Sequence, residues 1–217
     1  MERSVVILGA SGLVGGEFLK LIQNKPQYKK IVTLTRRKMT VLPNVQNHRI
    51  DFDQAGESAA LFTVQNLVSA LGTTIKKAGS KEQFRKVDYT YPFSCAKIAI
   101  DAGVENYILV SSTGADINSR YFYSRVKAEL EQDISKLPFN SIHILRPSLL
   151  LGERAEFRLS EKMADIVSAP FRGLIPLKYR PIQAGILARK IHDICLAPGQ
   201  GYHVYEGEAL YRVANES

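Results

Sequence analysis

Val5–Gly16 reads VVILGASGLVGG, and this stretch decides the fold. A short β-branched strand runs into a glycine-rich turn, and the amphipathic pattern that follows predicts a helix beginning near Leu13. Gly9 is predicted to make the turn, Gly12 to let the backbone approach a ligand, and Gly15 to let helix and strand pack. The first helical N–H groups then point at the ligand, with the positive end of the helix dipole behind them. This arrangement binds the pyrophosphate of a dinucleotide.

The spacing of the three glycines is G-x-x-G-x-x-G, whereas the usual dinucleotide fingerprint is G-x-G-x-x-G. Ser11 is predicted to add its hydroxyl and amide groups to the phosphate site. The alternative is a strand-to-helix turn whose glycines serve packing alone.

The end of the second predicted strand indicates which dinucleotide binds. Strand 31–34 is followed by Thr35, Arg36, Arg37 and Lys38, where an NAD site usually has a carboxylate for the ribose 2′-hydroxyl. Arginine binds phosphate through a planar pair of hydrogen bonds, so Arg36 and Arg37 predict a 2′-phosphate. NADP(H) is therefore expected rather than NAD(H). A solvated basic turn is the alternative.

Length and composition indicate one soluble globular domain over residues 1–217, in which residues from about 150 onward contribute a small substrate-side region. Hydrophobic residues make up 45% and charged residues 23% of the chain. Cys95 and Cys195 have no metal or redox spacing, which predicts core thiols in a reducing compartment and no metal. The sequence lacks a membrane-length apolar run and a secretory signal, so a cytoplasmic location is expected.

The net charge of +8 and the pI near 9.4 raise the question of nucleic-acid binding. The densest basic cluster is Lys76, Lys77, Lys81, Arg85 and Lys86. Because few aromatic residues that could stack on bases surround it, a solvated basic face is the preferred interpretation.

Strand and helix patterns alternate to the end of the chain. Further strands are predicted at 47–52, 66–71, 106–112, 141–151 and 202–205, and helices at 57–62, 81–102, 119–136, 156–167 and 181–196. Arg146 and Pro147 are predicted to interrupt strand 141–151, and Pro92 to bend helix 81–102 without ending it. Alternation of this kind predicts an α/β fold with a doubly wound parallel sheet, which binds ligands beyond the carboxyl ends of its strands. Two of those ends carry Asp51 and Gly72. Asp51 either binds the adenine amino group or caps a turn, and Gly72 leaves room for the ribose.

Tyr123 and Lys127 form a Y-x-x-x-K segment in the predicted helix 119–136, so their side chains share one face. A tyrosine has an ordinary pKa of about 10, and a neighbouring cation favours the phenolate that acid–base catalysis needs. Ser112 is predicted to polarise a substrate carbonyl. Competing hydroxyls are those of Ser111 and Thr113, and Tyr121 is a competing phenol.

The order of these motifs resembles the atypical short-chain dehydrogenase/reductase group, which has a Rossmann fold. The chain is most similar to the HIV Tat-interactive protein 2 family of oxidoreductases. The matching segments are 7–12, 32–34 with 36–38, 71–74, 77–79, 87–88, 111–112 with 114–116, Tyr123 with 126–127, and 146–147 with Leu150.

The resemblance implies that Tyr123 donates and accepts the proton and that Lys127 orients the nicotinamide ribose. Leu13 and Val14 replace a more polar pair, so their contacts are limited to the backbone. Asp88 is the nearest counterpart of an asparagine that many of these enzymes use in a proton relay. The implied NADPH contacts are Ser11, Gly12, Leu13, Val14, Arg36, Arg37, Leu71, Gly72, Tyr123, Lys127, the backbone near Leu150, and Arg158.

Together these features predict an NADP(H)-dependent oxidoreductase that transfers hydride between nicotinamide and a carbonyl or alcohol substrate. The alternative is a non-catalytic NADP(H)-binding regulator that senses redox state and acts through a protein partner. A protein partner or a homo-oligomer is compatible with either function, whereas nucleic acid and membrane are not expected as partners.

Overall fold

The computed structural model describes residues 2–152 and 176–212. Its main sheet has seven strands, all parallel, in the order β3-β2-β1-β4-β5-β6-β9. The strands are β1 Arg3–Leu8, β2 Tyr28–Thr35, β3 Val45–Arg49, β4 Asn66–Ser69, β5 Asn106–Val110, β6 Ser141–Arg146, β7 Leu150–Leu151, β8 Ile182–Gln183 and β9 Gly201–Glu206. Strands β7 and β8 form a separate two-stranded parallel sheet.

Helices join successive strands. The α-helices are α1 Leu13–Ile22, α2 Ile75–Ala78, α3 Lys81–Arg85, α4 Tyr91–Asp101, α5 Phe122–Ile134 and α6 Ala184–Leu196. Three 3-10 helices in the described residues precede β4, precede β8 and follow β9, and they are Phe52–Phe62, Leu177–Tyr179 and Gly207–Leu210. Because β2 and β3 lie on one side of β1 and β4 on the other, the strand order reverses at the β1–β4 junction. A crevice at such a reversal is where doubly wound sheets bind ligands.

Alternating side chains of the buried strands fill two apolar layers, one on each face of the sheet. Val5 and Ile7 of β1 pack toward α1 and α6. Val6 and Leu8 pack toward α4 and α5. This confirms the predicted single α/β domain with a doubly wound parallel sheet. Helix α6 and strand β9 belong to its main layers.

The predicted helix 81–102, with a bend at Pro92, is helical from Lys81 to Asp101, but it is not a single regular α-helix. Between α3 and α4 the chain forms a π-helical turn at Lys86–Thr90, in which the Tyr91 N–H donates to the carbonyl of Lys86, five residues earlier. Pro92 follows at the start of α4 and has no N–H to donate. The wider turn accommodates the proline without ending the helix, and it carries Asp88.

Several predicted strands are too long at their carboxyl ends. The observed β3, β4, β5 and β6 end at Arg49, Ser69, Val110 and Arg146, where the chain leaves the sheet toward the crevice. Pro147 ends β6 because it cannot donate to the ladder. The predicted strand 141–151 is therefore two separate strands, β6 and β7. The predicted helix 156–167 lies outside the described residues.

Candidate active site

The glycine turn between β1 and α1 is fixed by close backbone contacts. Gly9 has φ +83°, and a Cβ at this position would lie 2.5 Å from the carbonyl oxygen of Ala70. A Cβ on Gly15 would lie 2.4 Å from the carbonyl oxygen of Gly9. The Gly12 N–H donates to the same Gly9 oxygen at 2.8 Å. Only glycine fits at Gly9 and Gly15, as the predicted turn and packing require.

Helix α1 begins at this turn, and its N-cap is a glycine. Gly12 is the N-cap and makes no side-chain capping bond. The start of the helix, at Leu13 and Val14, lines a crevice at the carboxyl edge of the sheet. An anion bound there meets the positive end of the helix dipole.

The crevice has two adjoining parts that share Gly12, Ala70, Leu71 and Gly72. The first part reaches the turn after β2. It is lined by predicted cofactor residues that include Gly9, Ser11, Gly12, Arg36, Arg37, Leu71 and Gly72. The second part reaches α5. Its lining includes Gly12, Leu13, Val14, Leu71, Gly72, Ser111, Tyr123, Lys127 and Leu150.

The remaining predicted cofactor residues are Gly15, Asp51 and Arg158. Gly15 packs beneath the glycine turn and lines neither part of the crevice. Asp51 also lines neither part. Its carboxylate accepts a bond from the Asp53 N–H at 2.9 Å and caps the following 3-10 helix, which is the turn-capping alternative. Arg158 lies outside the described residues.

Lys127 is buried against a carboxylate. Its Nζ lies 2.8 Å from Oδ1 of Asp88, and the side chains are only 4% and 1% exposed. The second oxygen, Asp88 Oδ2, accepts a bond from the Thr73 N–H at 2.8 Å. Burial lowers the pKa of Lys127, but the charge of Asp88 and the nearby Tyr123 outweigh it, and the pKa is raised. Lys127 is therefore a fixed cation inside the crevice.

Tyr123 occupies the first turn of α5 and faces the same part of the crevice as Lys127, four residues later. Its ring packs against Phe84, with 5.5 Å between ring centroids. Tyr121 differs, since it is 76% exposed. Arg125, four residues after Tyr121, donates to the carbonyls of Ser119 and Arg120.

The two serines after β5 have different surroundings. Ser111 lines the crevice, but its hydroxyl donates to the buried carboxylate of Glu131. Glu131 also accepts two bonds from Arg146 Nε, at 3.0 and 3.2 Å, which join α5 to β6. Ser112 does not line the crevice, and within the described part of the chain its buried Oγ has no hydrogen-bond partner.

The sequence did not reveal the carboxylates that bind Lys127 and Ser111. Asp88 is identified only as the counterpart of a missing asparagine, and nothing in its neighbourhood signals a bond to Lys127. Glu131 stands four residues after Lys127 and eight after Tyr123, on the same helical face. This spacing is the one signal in the sequence that could have identified Glu131 as part of the site.

The basic cluster on α2, α3 and the π-helical turn is partly neutralised. Arg85 forms an ion pair with Glu129 and lies over the ring of Tyr89, 4.4 Å from its centroid. Lys86 lies 2.7 Å from Asp53. At least the charges of Arg85 and Lys86 therefore pair with carboxylates of this protein.

A family model described as HIM1 matches residues 21–175. The chain belongs to the HIM1 family. The protein HTATIP2 of Rattus norvegicus is 32% identical over an alignment that covers 100% of this chain and 91% of that protein. This relative confirms the resemblance to the HIV Tat-interactive protein 2 family. The mitochondrial protein FMP52 of Candida albicans is 42% identical over 163 residues, which cover 70% of this chain and 69% of that protein.

Solved structures agree with the fold. MoeE5 in complex with UDP-glucose and NAD matches with a TM-score of 0.71 at 14% identity, over 93% of this chain and 75% of that chain. This likeness supports a Rossmann-type fold.

The expected cytoplasmic location is wrong. FMP52 relatives from Candida albicans and from other species are named mitochondrial, which contradicts this expectation. The expectation rested on the lack of a secretory signal, and that absence cannot separate cytoplasm from mitochondria. None of the helices in the described residues has the length and apolar character to span a membrane. The same residues contain no group of three or more metal-ligating side chains.

Proposed function

We propose that this protein is an NADP(H)-dependent oxidoreductase that acts on a carbonyl or alcohol substrate. The observation that carries the proposal is the buried cation Lys127 beside Tyr123, in a crevice continuous with the glycine turn and the two arginines. When bound, the nicotinamide supplies or accepts the hydride. The chain supplies binding groups and the proton.

The choice of NADP(H) rests on Arg36 and Arg37. Both are exposed at the crevice, and among residues 2–152 and 176–212 no carboxylate pairs with either guanidinium. Two unpaired guanidiniums suit the 2′-phosphate of NADP(H). MoeE5, whose structure contains NAD, supports a nicotinamide dinucleotide of either kind.

In this proposal Tyr123 gives a proton to the substrate oxygen during reduction and takes it back during oxidation. Lys127 stabilises the phenolate electrostatically and binds the nicotinamide ribose. Asp88 is a positioning residue that holds Lys127 in place. Ser112 is proposed to polarise the carbonyl, which requires its buried hydroxyl to turn toward the crevice.

Steady-state oxidation of NADPH with a panel of aldehydes, ketones and quinones tests the enzyme. Tyr123→Phe should lower kcat at least about 100-fold, which is a typical contribution of general acid–base catalysis. The dissociation constant for NADPH should change less than about twofold, because the ring remains. Tyr121→Phe is the matched control, since this exposed phenol two residues earlier should leave both quantities unchanged.

The serines after β5 favour a second function, that of a non-catalytic NADP(H)-binding regulator. The Ser111 hydroxyl is bonded to Glu131, and Ser112 lies outside the crevice lining, so no serine there is aligned with a substrate carbonyl. Tight NADPH binding without turnover of any compound in the panel would support this function and contradict the first.

A mitochondrial location is proposed from the names of the FMP52 relatives. Imaging of the full chain fused at its carboxyl end to a fluorescent protein tests it. Diffuse fluorescence outside mitochondria would contradict the proposal.

A further inference from the structure

Three polar side chains stand together on one face of β2 and β3. Thr33 and Thr35 are 0% and 3% exposed, and Asn47 is half-buried beside them. Asn47 is the register partner of Thr33, two residues beyond the pair Ile31 and Val45 and on the same face. The face therefore changes from apolar to polar as it approaches the crevice.

Within this group, Asn47 is the central donor. Its Nδ2 donates to Thr33 Oγ1 at 2.8 Å and to Thr35 Oγ1 at 3.0 Å. Buried polar groups that only satisfy one another add little net stability compared with apolar groups of the same shape. The bonds that leave the group therefore show what it does.

Two bonds leave the group, and both reach the backbone of the basic turn after β2. Asn47 Oδ1 accepts from the Met39 N–H at 2.9 Å. Thr35 Oγ1 donates to the Arg37 carbonyl at 2.7 Å. The turn formed by Arg36, Arg37 and Lys38 is thus bonded to one buried polar group at two points, one within it and one just after it.

The side chains of this turn are exposed, whereas its backbone is fixed from below. A turn ordered in advance loses less conformational entropy when its arginines bind an anion. A free basic turn would have to be ordered during binding, and this would weaken only the contacts that the arginines make.

We infer that Asn47 is a specificity-determining positioning residue, which holds the Arg36–Arg37 turn so that the protein prefers NADP(H) to NAD(H). This inference rests on the proposed function, because it assigns the 2′-phosphate to those arginines. Asn47 itself does not line either part of the crevice and acts through the turn.

The test measures dissociation constants for NADPH and NADH by fluorescence titration of the full chain. Asn47→Ala should weaken NADPH binding about tenfold, the effect of losing about one hydrogen-bonded constraint. NADH binding should change less than about twofold, because it has no 2′-phosphate. Asn44→Ala is the matched control. This asparagine lies just before β3, and its side chain donates to the carbonyl of Gln23, so both constants should stay the same.

A second pair of variants covers the case in which Asn47→Ala fails to fold. Thr35→Val removes the hydroxyl with little change of shape and should also weaken NADPH selectively. Thr35→Ser keeps the hydroxyl and should restore the preference. If Asn47→Ala weakens NADPH and NADH binding equally, the three polar side chains have only a structural role and the inference is overturned. If Asn47→Ala does not fold, the same result in Thr35→Val overturns it.

The result also separates the two proposals. If Arg36→Ala and Arg37→Ala leave NADPH binding unchanged, the NADP(H) assignment itself fails. If those variants lose the preference while Asn47→Ala and Thr35→Val keep it, only the inference about the positioning residue fails.

Discussion

The two ends of the crevice are built differently. The nucleotide end, made of the 9–15 turn and the 36–38 turn, consists of backbone geometry and exposed cations close together in the chain. The reaction end consists of Asp88, Tyr123 and Lys127, brought together from the π-helical turn and α5 and joined by a buried ion pair. The geometry of the nucleotide end is determined by residues close together in the sequence, whereas the buried ion pair forms only when the fold is complete. The following variants test that distinction.

The largest effect is expected for Gly9→Ala. A left-handed φ is strained for alanine, and the new Cβ would lie 2.5 Å from the Ala70 oxygen, so the β1–β4 junction must open. The free energy of unfolding should fall by about 5 kcal/mol, the sum of the strain and overpacking terms. Urea denaturation measures it.

Gly103→Ala is the matched control for Gly9→Ala. Gly103 has a similar φ of +82°, but nothing lies within 4 Å of its added Cβ. It should therefore show only the backbone strain, about 1 kcal/mol. Equal losses in the two variants would mean that the close contact with Ala70 contributes nothing.

The next effect concerns the buried pair. Asp88→Ala leaves the Lys127 ammonium without its counter-charge, which should lower the free energy of unfolding by about 3 to 5 kcal/mol. Asp53→Ala is the comparison, because it breaks the exposed pair with Lys86 and should change stability far less. Similar losses in both variants would show that the burial of Asp88 does not matter.

Dependence on pH gives a sharper test of the same pair. The pKa of Lys127 is raised in the wild type, so its contribution is present below the unfolded pKa, about 10.4, and is lost as pH rises through the folded pKa. In Asp88→Asn the charge of Asp88 is lost, whereas burial still lowers the pKa of Lys127. The stability of this variant relative to wild type should then rise between neutral pH and about 10. A constant difference in urea denaturation at pH 7, 8, 9 and 10 would contradict the fixed cation.

The smallest effect in free energy belongs to the basic turn. Arg36→Ala and Arg37→Ala should each weaken NADPH binding about 10- to 100-fold, since each removes charge-assisted bonds to a phosphate. NADH binding is the internal control and should change less than about twofold. Equal losses for both cofactors would remove the basis for preferring NADP(H).

The nucleotide end was predictable because its information is local. A β-branched strand, glycines at fixed spacing and an amphipathic helix require no distant partner, and the structure has β1, the turn and α1 as predicted. The alternation of strands and helices likewise fixes a parallel sheet. Its strand ends were less predictable, because the last ladder bond depends on a neighbouring strand.

The reaction end was predictable only in part. Four-residue spacing indicated that Tyr123 and Lys127 share a helical face. The partner of Lys127 could not be found, because Asp88 reaches it through a π-helical turn that no local pattern signals. The serines after β5 show another limit, since consecutive residues at a strand end face opposite sides of the sheet. A one-residue difference decides whether Ser111 or Ser112 faces the crevice.

The π-helical turn also restricts where insertions and deletions can occur in the sequence. One residue of an α-helix corresponds to a rotation of about 100°. Deleting one residue between Lys81 and Val87 would rotate Asp88 to another side of its helix. Asp88 would then point away from Lys127, although both side chains are still present. Insertions and deletions should therefore be tolerated at residues 40–43, beyond the bonded turn, far better than here.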